Sequence, residues 1–96
     1  MKVAFTFKNV EQHVLVKEHA EDKAEKIKKY VQHPIDMHFF VTQENAEVST
    51  EITLLADHGR YSAKAIEAEA LTSVDQAMHK LEAQLRKHKD KVRAHR

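Results

Sequence analysis

Ninety-six residues carrying 16 Lys and Arg against 15 Asp and Glu, with a net charge of +1, are enough chain for one hydrophobic core and too few for a catalytic cleft between two domains. The absence of cysteine excludes a disulfide framework and thiolate metal sites and agrees with a reducing cytoplasm, the compartment expected for this chain. One Gly and one Pro exclude glycine-rich phosphate loops and low-complexity linkers, and no apolar run approaches the roughly 18 residues of a membrane span.

In chain order, Lys2 to Lys8 alternates Val3, Phe5 and Phe7 against Lys2, Ala4, Thr6 and Lys8, the period of a strand with one buried face. Met1-Lys2 leads straight into this pattern, without the apolar stretch of a signal peptide. After a connector over Asn9 to His13, Val16, Ala20, Ala24, Ile27 and Val31 mark one side of a helix that ends by His33. Pro34 disfavours helical geometry at the residue before it and has no donor of its own. Asp22 with Lys26 and Glu25 with Lys29 are i,i+4 pairs in the favourable order. Ile35 to Gln43 reads as a second strand, with Met37, Phe39 and Val41 on one face and His38, Phe40 and Thr42 on the other. Glu44 to Ala46 makes a short turn into a third strand, Glu47 to Leu55, with Val48, Thr50, Ile52 and Leu54 on one side. The turn Asp57-His58-Gly59 leads into a fourth strand, Arg60 to Ala68, whose Tyr61, Ala63 and Ala65 share a face. Thr72 to Arg96 is one long amphipathic helix, its seam formed by Val74, Ala77, Met78, Leu81, Leu85 and Val92. The order βαβββα predicts an α+β fold in which both helices pack on one face of a four-stranded sheet and the other face meets water. Residues 1–96 then form a single domain.

Catalytic motifs are absent. There is no GxSxG elbow, no phosphate loop and no paired cysteine, and Ser49, Ser62 and Ser73 carry no signature of an activated nucleophile. The chain is expected not to be an enzyme and to need no cofactor. None of the eight histidines, His13, His19, His33, His38, His58, His79, His88 and His95, lie three or four apart as a helical metal pair requires, so no metal site is expected. His38 and His88 read as partly buried, hydrogen-bonded side chains. Glu18, Glu21, Asp22 and Glu25 are interleaved with lysine on the outer side of helix one, as in an ordinary solvated face.

Helix two is different. From His79 onward there are seven Lys or Arg against Glu82 and Asp90, a local charge of +5, whereas residues 1–78 hold nine against thirteen, or −4. Lys80, Lys87 and Lys91 fall on one flank of the seam, and Arg86, Lys89 and Arg93 on the other. Cations near a helix C-terminus are favoured by the macrodipole, but one or two satisfy the last turn, and these extend over more than four turns. The pattern points to a surface that tracks the phosphates of a folded RNA. Membrane binding is a weaker reading, since the helix has few large apolar groups to spare. Phe40 and Tyr61 are the only candidates for base stacking, and recognition is expected to rest on shape and charge. The αβββα core is similar in topology to double-stranded RNA-binding domains, without their basic loop motif.

Beyond these patterns, the sequence resembles the ribosome hibernation-promoting factors and ribosome-associated inhibitors, also known as sigma-54 modulation proteins. The resemblance covers essentially the whole chain. It is carried by Asn9-Val10-Glu11, by Lys26-Ile27-Lys28-Lys29-Tyr30 with His33-Pro34, and above all by Val74-Asp75 with the block Lys80 to Lys91 (KLEAQLRKHKDK). It implies binding to the small ribosomal subunit and its RNA, in the channel that messenger and transfer RNA would occupy. On that basis Lys80, Arg86, Lys87, Lys89 and Lys91 are the implied RNA contacts, with Lys23, Lys26 and Lys29 secondary and Arg93 added from the flank it shares. Lys8 stands where many members have glycine, and Ala70-Leu71 where Met-Tyr is common. The chain looks like a short form or the N-terminal domain of a long one. The expected function is translation inhibition by occupancy, with no small-molecule substrate. The alternative is a protein-interaction regulator, for example of a transcription factor, using the same polarised surface.

Overall fold

The computed structural model describes residues 1–57 and 59–94, with side chains placed up to residue 88. Strand β1 (Lys2–Lys8) is followed by helix α1 (His13–Ala24), a 3₁₀ extension (Glu25–Lys29), β2 (Pro34–Glu44), β3 (Glu47–Ala56), β4 (Gly59–Glu67) and α2 (Ala70–Ala94). The strands lie in the order β1-β2-β3-β4. β1 and β2 are parallel because α1 carries the chain back across the sheet between them, whereas the short connections that follow make β2, β3 and β4 antiparallel neighbours. Asn45 supplies the positive φ of the β2–β3 turn at 54°, a conformation that asparagine tolerates better than most residues.

Period-two alternation sorts the strands into two faces as expected. Met37, Phe39 and Val41 of β2, Val48, Thr50, Ile52 and Leu54 of β3, and Ala63 and Ala65 of β4 are all buried beneath the helices. Val3, Phe5 and Phe7 face the same way but stay half-buried, because β1 is an edge strand that α1 covers incompletely. Phe5 stacks on Phe39 at 5.3 Å and lies under the Lys17 ammonium, which closes part of the gap. α1 contributes Val16, Ala20 and Ala24, and α2 contributes Val74, Ala77, Met78, Leu81 and Leu85. Val92 lies outside the described side chains. One polar pair enters the core: Thr50 and Ser73 share a hydrogen bond of 2.7 Å, and the Ser73 hydroxyl donates to the Ala70 carbonyl at 2.7 Å. That second bond ties the first turn of α2, which starts two residues earlier than its periodicity suggests.

Helix one departs from the sequence expectation. After Ala24 the coil tightens to 3₁₀, with Tyr30 N–H donating to the Ile27 carbonyl at 2.9 Å. In a 3₁₀ coil residues three apart are stacked, so Glu25 pairs with Lys28 at 2.7 Å and not with Lys29. The tighter winding keeps Ile27 fully buried at the end of the helix. Just beyond, the Asp57 carboxylate accepts the N–H groups of Gln32 (3.1 Å) and His33 (2.6 Å), and the Asp57 N–H donates to the His33 carbonyl at 3.1 Å. Asp57, with φ at 50°, takes the left-handed position of that turn, although the glycine is Gly59. His58 lies outside the described residues.

Candidate nucleic-acid interface

The spacing of α2 on β4 sets the geometry of its basic residues. Four helix residues rise about 6 Å and two strand residues about 6.6 Å, so successive turns of an antiparallel helix can meet every second residue of the strand. That match is used. The Lys80 ammonium donates to the Lys64 carbonyl at 3.0 Å, Gln84 Nε2 donates to the Ser62 carbonyl at 2.6 Å, and the His88 ring meets the Tyr61 ring edge-on at 5.7 Å. These contacts cover the outer edge of β4, which would otherwise offer unpaired carbonyls to another strand. The α2 backbone continues beyond His88 to Ala94.

On its other flank α2 faces α1. His19 Nε2 lies 2.7 Å from Asp75 Oδ1, and the Tyr30 hydroxyl donates to Glu82 at 3.1 Å. The two helices therefore run side by side in the same direction. Lys23 and Lys26 follow His19 at i+4 and i+7 on the α2-facing side of α1, while Arg86 follows Glu82 at i+4 on the α1-facing side of α2. Tyr30 anchors the 3₁₀ extension beside Glu82, which brings Lys26 and Lys29 to the same end of the molecule as Arg86. Lys26, Lys29, Lys80, Arg86 and Lys87 are exposed, and Lys23 is half-buried. Glu18, Glu21 and Asp22 of α1 and Glu25 just after it are exposed, and Asp22, at i+3 from His19, lies on the same side of the helix as Lys23 and Lys26.

By helical spacing Lys23, Lys26 and Arg86 lie on the facing sides of α1 and α2, Lys29 ends the adjoining 3₁₀ extension, and Lys80 and Lys87 lie on the opposite flank of α2. Lys80 differs from the others in having its ammonium held by the sheet edge. Lys89, Lys91 and Arg93 lie on the backbone of α2, and their side chains are outside the described residues. His88, expected to be partly buried and hydrogen-bonded, is exposed, because the seam gives way to the Tyr61 ring where α2 nears the end of β4. Tyr61 is thereby turned toward α2, on the face opposite Phe40, and does not form a stacking surface with it. His38 is half-buried, with a hydrogen bond of 2.8 Å to the Thr6 hydroxyl. Sequence patterns miss the bridging residues His19, Asp75, Tyr30, Glu82 and Gln84, whose partners are 22 to 56 residues away. Among the described residues no cluster of three His, Asp or Glu could hold a metal ion, and no helix is long and apolar enough to cross a membrane.

The fold has counterparts among solved structures. A ribosomal subunit interface protein from Coxiella burnetii superimposes with a TM-score of 0.81 at 22% identity, over 94% of this chain and 99% of that one. The N-terminal domain of Thermus thermophilus Protein Y superimposes with a TM-score of 0.83 at 17% identity, over 92% of this chain and 99% of that one. At such identities the likeness is one of fold. No curated protein sequence matches the chain. The family pattern described as sigma 54 modulation protein / S30EA ribosomal protein matches residues 3–93. With nearly its whole length matched, the chain belongs to the sigma 54 modulation protein / S30EA ribosomal protein family.

Proposed function

We propose that this protein is a ribosome-associated translation inhibitor of the cytoplasm, a single domain that docks on the RNA of the small subunit and sterically excludes messenger and transfer RNA. Family membership supports association with the ribosome. The observation that carries the docking surface is the sorting of charge in the helical layer. Lys23, Lys26 and Arg86 lie where α1 and α2 face each other, Lys29 follows on the 3₁₀ extension, and Lys87 lies on the other flank of α2. Lys89, Lys91 and Arg93 follow on the backbone of the same helix. Occupancy does the work, and no bond is made or broken.

Co-sedimentation with purified small subunits at two salt concentrations tests the proposal, with wild type beside Arg86→Glu combined with Lys87→Glu. Wild type should pellet with the subunits and lose binding as salt rises, because each neutralised phosphate releases counterions. The double variant should stay in the supernatant. Failure of folded wild type to pellet at low salt would overturn the proposal and turn attention to an acidic protein partner.

A further inference from the structure

The face of the sheet turned away from both helices has a composition that docking by α2 does not use. Its rows can be read from the strand register. Lys2, Asp36, Leu55 and Arg60 lie side by side across the four strands, followed by Ala4, His38, Thr53 and Ser62, and then by Thr6, Phe40, Glu51 and Lys64. At its centre the rings of His38 and Phe40 stack, with centroids 4.0 Å apart and planes within 5°. Phe40 is 36% exposed although it stands in the middle of the sheet. The Thr6 hydroxyl holds His38 Nε2 at 2.8 Å and fixes the ring. The small side chains beside His38 leave a shallow cavity of about 610 Å³, whose border includes Lys2, Asp36, His38, Thr53, Arg60 and Ser62. Phe40 does not border it, so the cavity opens on the side of His38 away from Phe40.

We propose that this face is a second RNA-binding site, where an unpaired base of a single strand enters the cavity and extends the Phe40–His38 stack, while the flanking phosphates meet Lys2 and Arg60. A π surface with hydroxyls around it and cations at both edges is the chemistry by which a sheet holds single-stranded RNA. Lys2 and Arg60 stand on opposite edge strands of the same row, three strand spacings or roughly 14 Å apart. One mononucleotide phosphate cannot reach both, which selects a strand over a free nucleotide. The carboxylates give the site a direction. Asp36 lies directly across from Lys2, and Glu51 from Lys64, so each has a cation beside it, whereas Glu44 and Glu47 make the hairpin end acidic and leave the Lys2–Arg60 end for phosphate. A second copy of the chain is disfavoured on this face. A two-fold axis along the strands would lay Lys2 over Arg60, and one across them would lay Lys2 over Lys8.

The site is tested independently of α2 by placing Arg86→Glu and Lys87→Glu in the full chain, so that the helical surface is weakened. This protein is titrated with a single-stranded oligoribonucleotide of roughly six nucleotides, following the His38 and Phe40 ring resonances by NMR. Saturable shifts of both rings are expected, together with a loss of affinity of roughly 5- to 100-fold when His38→Ala and Phe40→Ala are added. Adenosine monophosphate at equal concentration should leave the rings unmoved. Unmoved rings throughout the oligonucleotide titration would overturn the proposal without reference to any open-face variant. Equal shifts with the mononucleotide would reassign the cavity to a free nucleotide, and dimerisation that Phe40→Ala abolishes would reassign the face to a second copy. Loss of subunit co-sedimentation in the Arg86 and Lys87 variant with the ring shifts intact would separate the two surfaces.

Discussion

The two helices lie side by side on one sheet, yet they are held and charged in different ways. α2 has a continuous seam of Val74, Ala77, Met78, Leu81 and Leu85, and it is tied through Lys80 and Gln84 to the edge of β4. α1 buries a narrower line of Val16, Ala20 and Ala24, leaves Val14 and Leu15 exposed, and tightens to 3₁₀ before it ends. Beyond His19, the side of α1 that faces α2 carries Lys23 and Lys26 with Asp22 beside them, and Glu18, Glu21 and Glu25 lie farther round the helix. Packing and charge are thus distributed differently: the firmly seated α2 carries mostly cations, whereas the loosely seated α1 carries cations and carboxylates together.

That contrast can be broken most severely at the anchor of α2. Leu81→Ala removes a fully buried side chain from the seam and should cost about 2–5 kcal/mol of stability, read from urea unfolding. Next in size is the effect on docking. Reversing Arg86 and Lys87 should weaken small-subunit binding on the order of 100-fold near 50 mM salt, while reversing Lys23 and Lys26 should weaken it about tenfold. Equal losses from both pairs would erase the ranking of the helices.

Tyr30→Phe deletes the hydroxyl that joins the 3₁₀ extension to Glu82 and should cost about 0.5–1.5 kcal/mol, with a modest loss of binding as Lys26 and Lys29 shift. A change in stability with binding fully retained would show that the placement of these lysines does not matter. Smallest of all, Glu18→Gln with Glu21→Gln on the exposed back of α1 should alter stability by less than about 0.5 kcal/mol and leave subunit binding intact. Impaired binding by that variant would place the acidic side in the interface.

Much of this arrangement can be read from the chain itself. The two-residue period of Lys2 to Lys8, Ile35 to Gln43 and Glu47 to Leu55 assigns each strand its buried face. The seam of α2 follows from spacing alone as far as Leu85. Local pattern fails where tertiary contact decides. Glu25 and Lys29 look like an i,i+4 pair, but winding to 3₁₀ gives Glu25 to Lys28. Lys80 looks like the other cations of its helix, yet it lies against the carbonyl of a strand 16 residues earlier. His19 and Asp75, 56 residues apart, carry no mutual signal, since each suits an exposed helix position on its own. Phe40 is legible as outward-facing, and its stack on His38 follows from their i,i+2 places on one strand.

The parallel pairing of β1 with β2 also bears on how the molecule assembles. β2, β3, β4 and α2 are joined by connections of only two residues, so their contacts close short loops and can form in sequence at little entropic cost. β1 must wait for a partner 34 positions along the chain, with the whole of α1 in between. Although synthesised first, it should be the last strand to join, and a single strand neighbour with only partial cover from α1 makes it the first to leave. Amide hydrogen exchange should accordingly be faster along β1 than along β3, and protection of β1 equal to that of β3 would contradict this order. The oldest part of the newborn chain then completes a sheet that its younger parts have already begun.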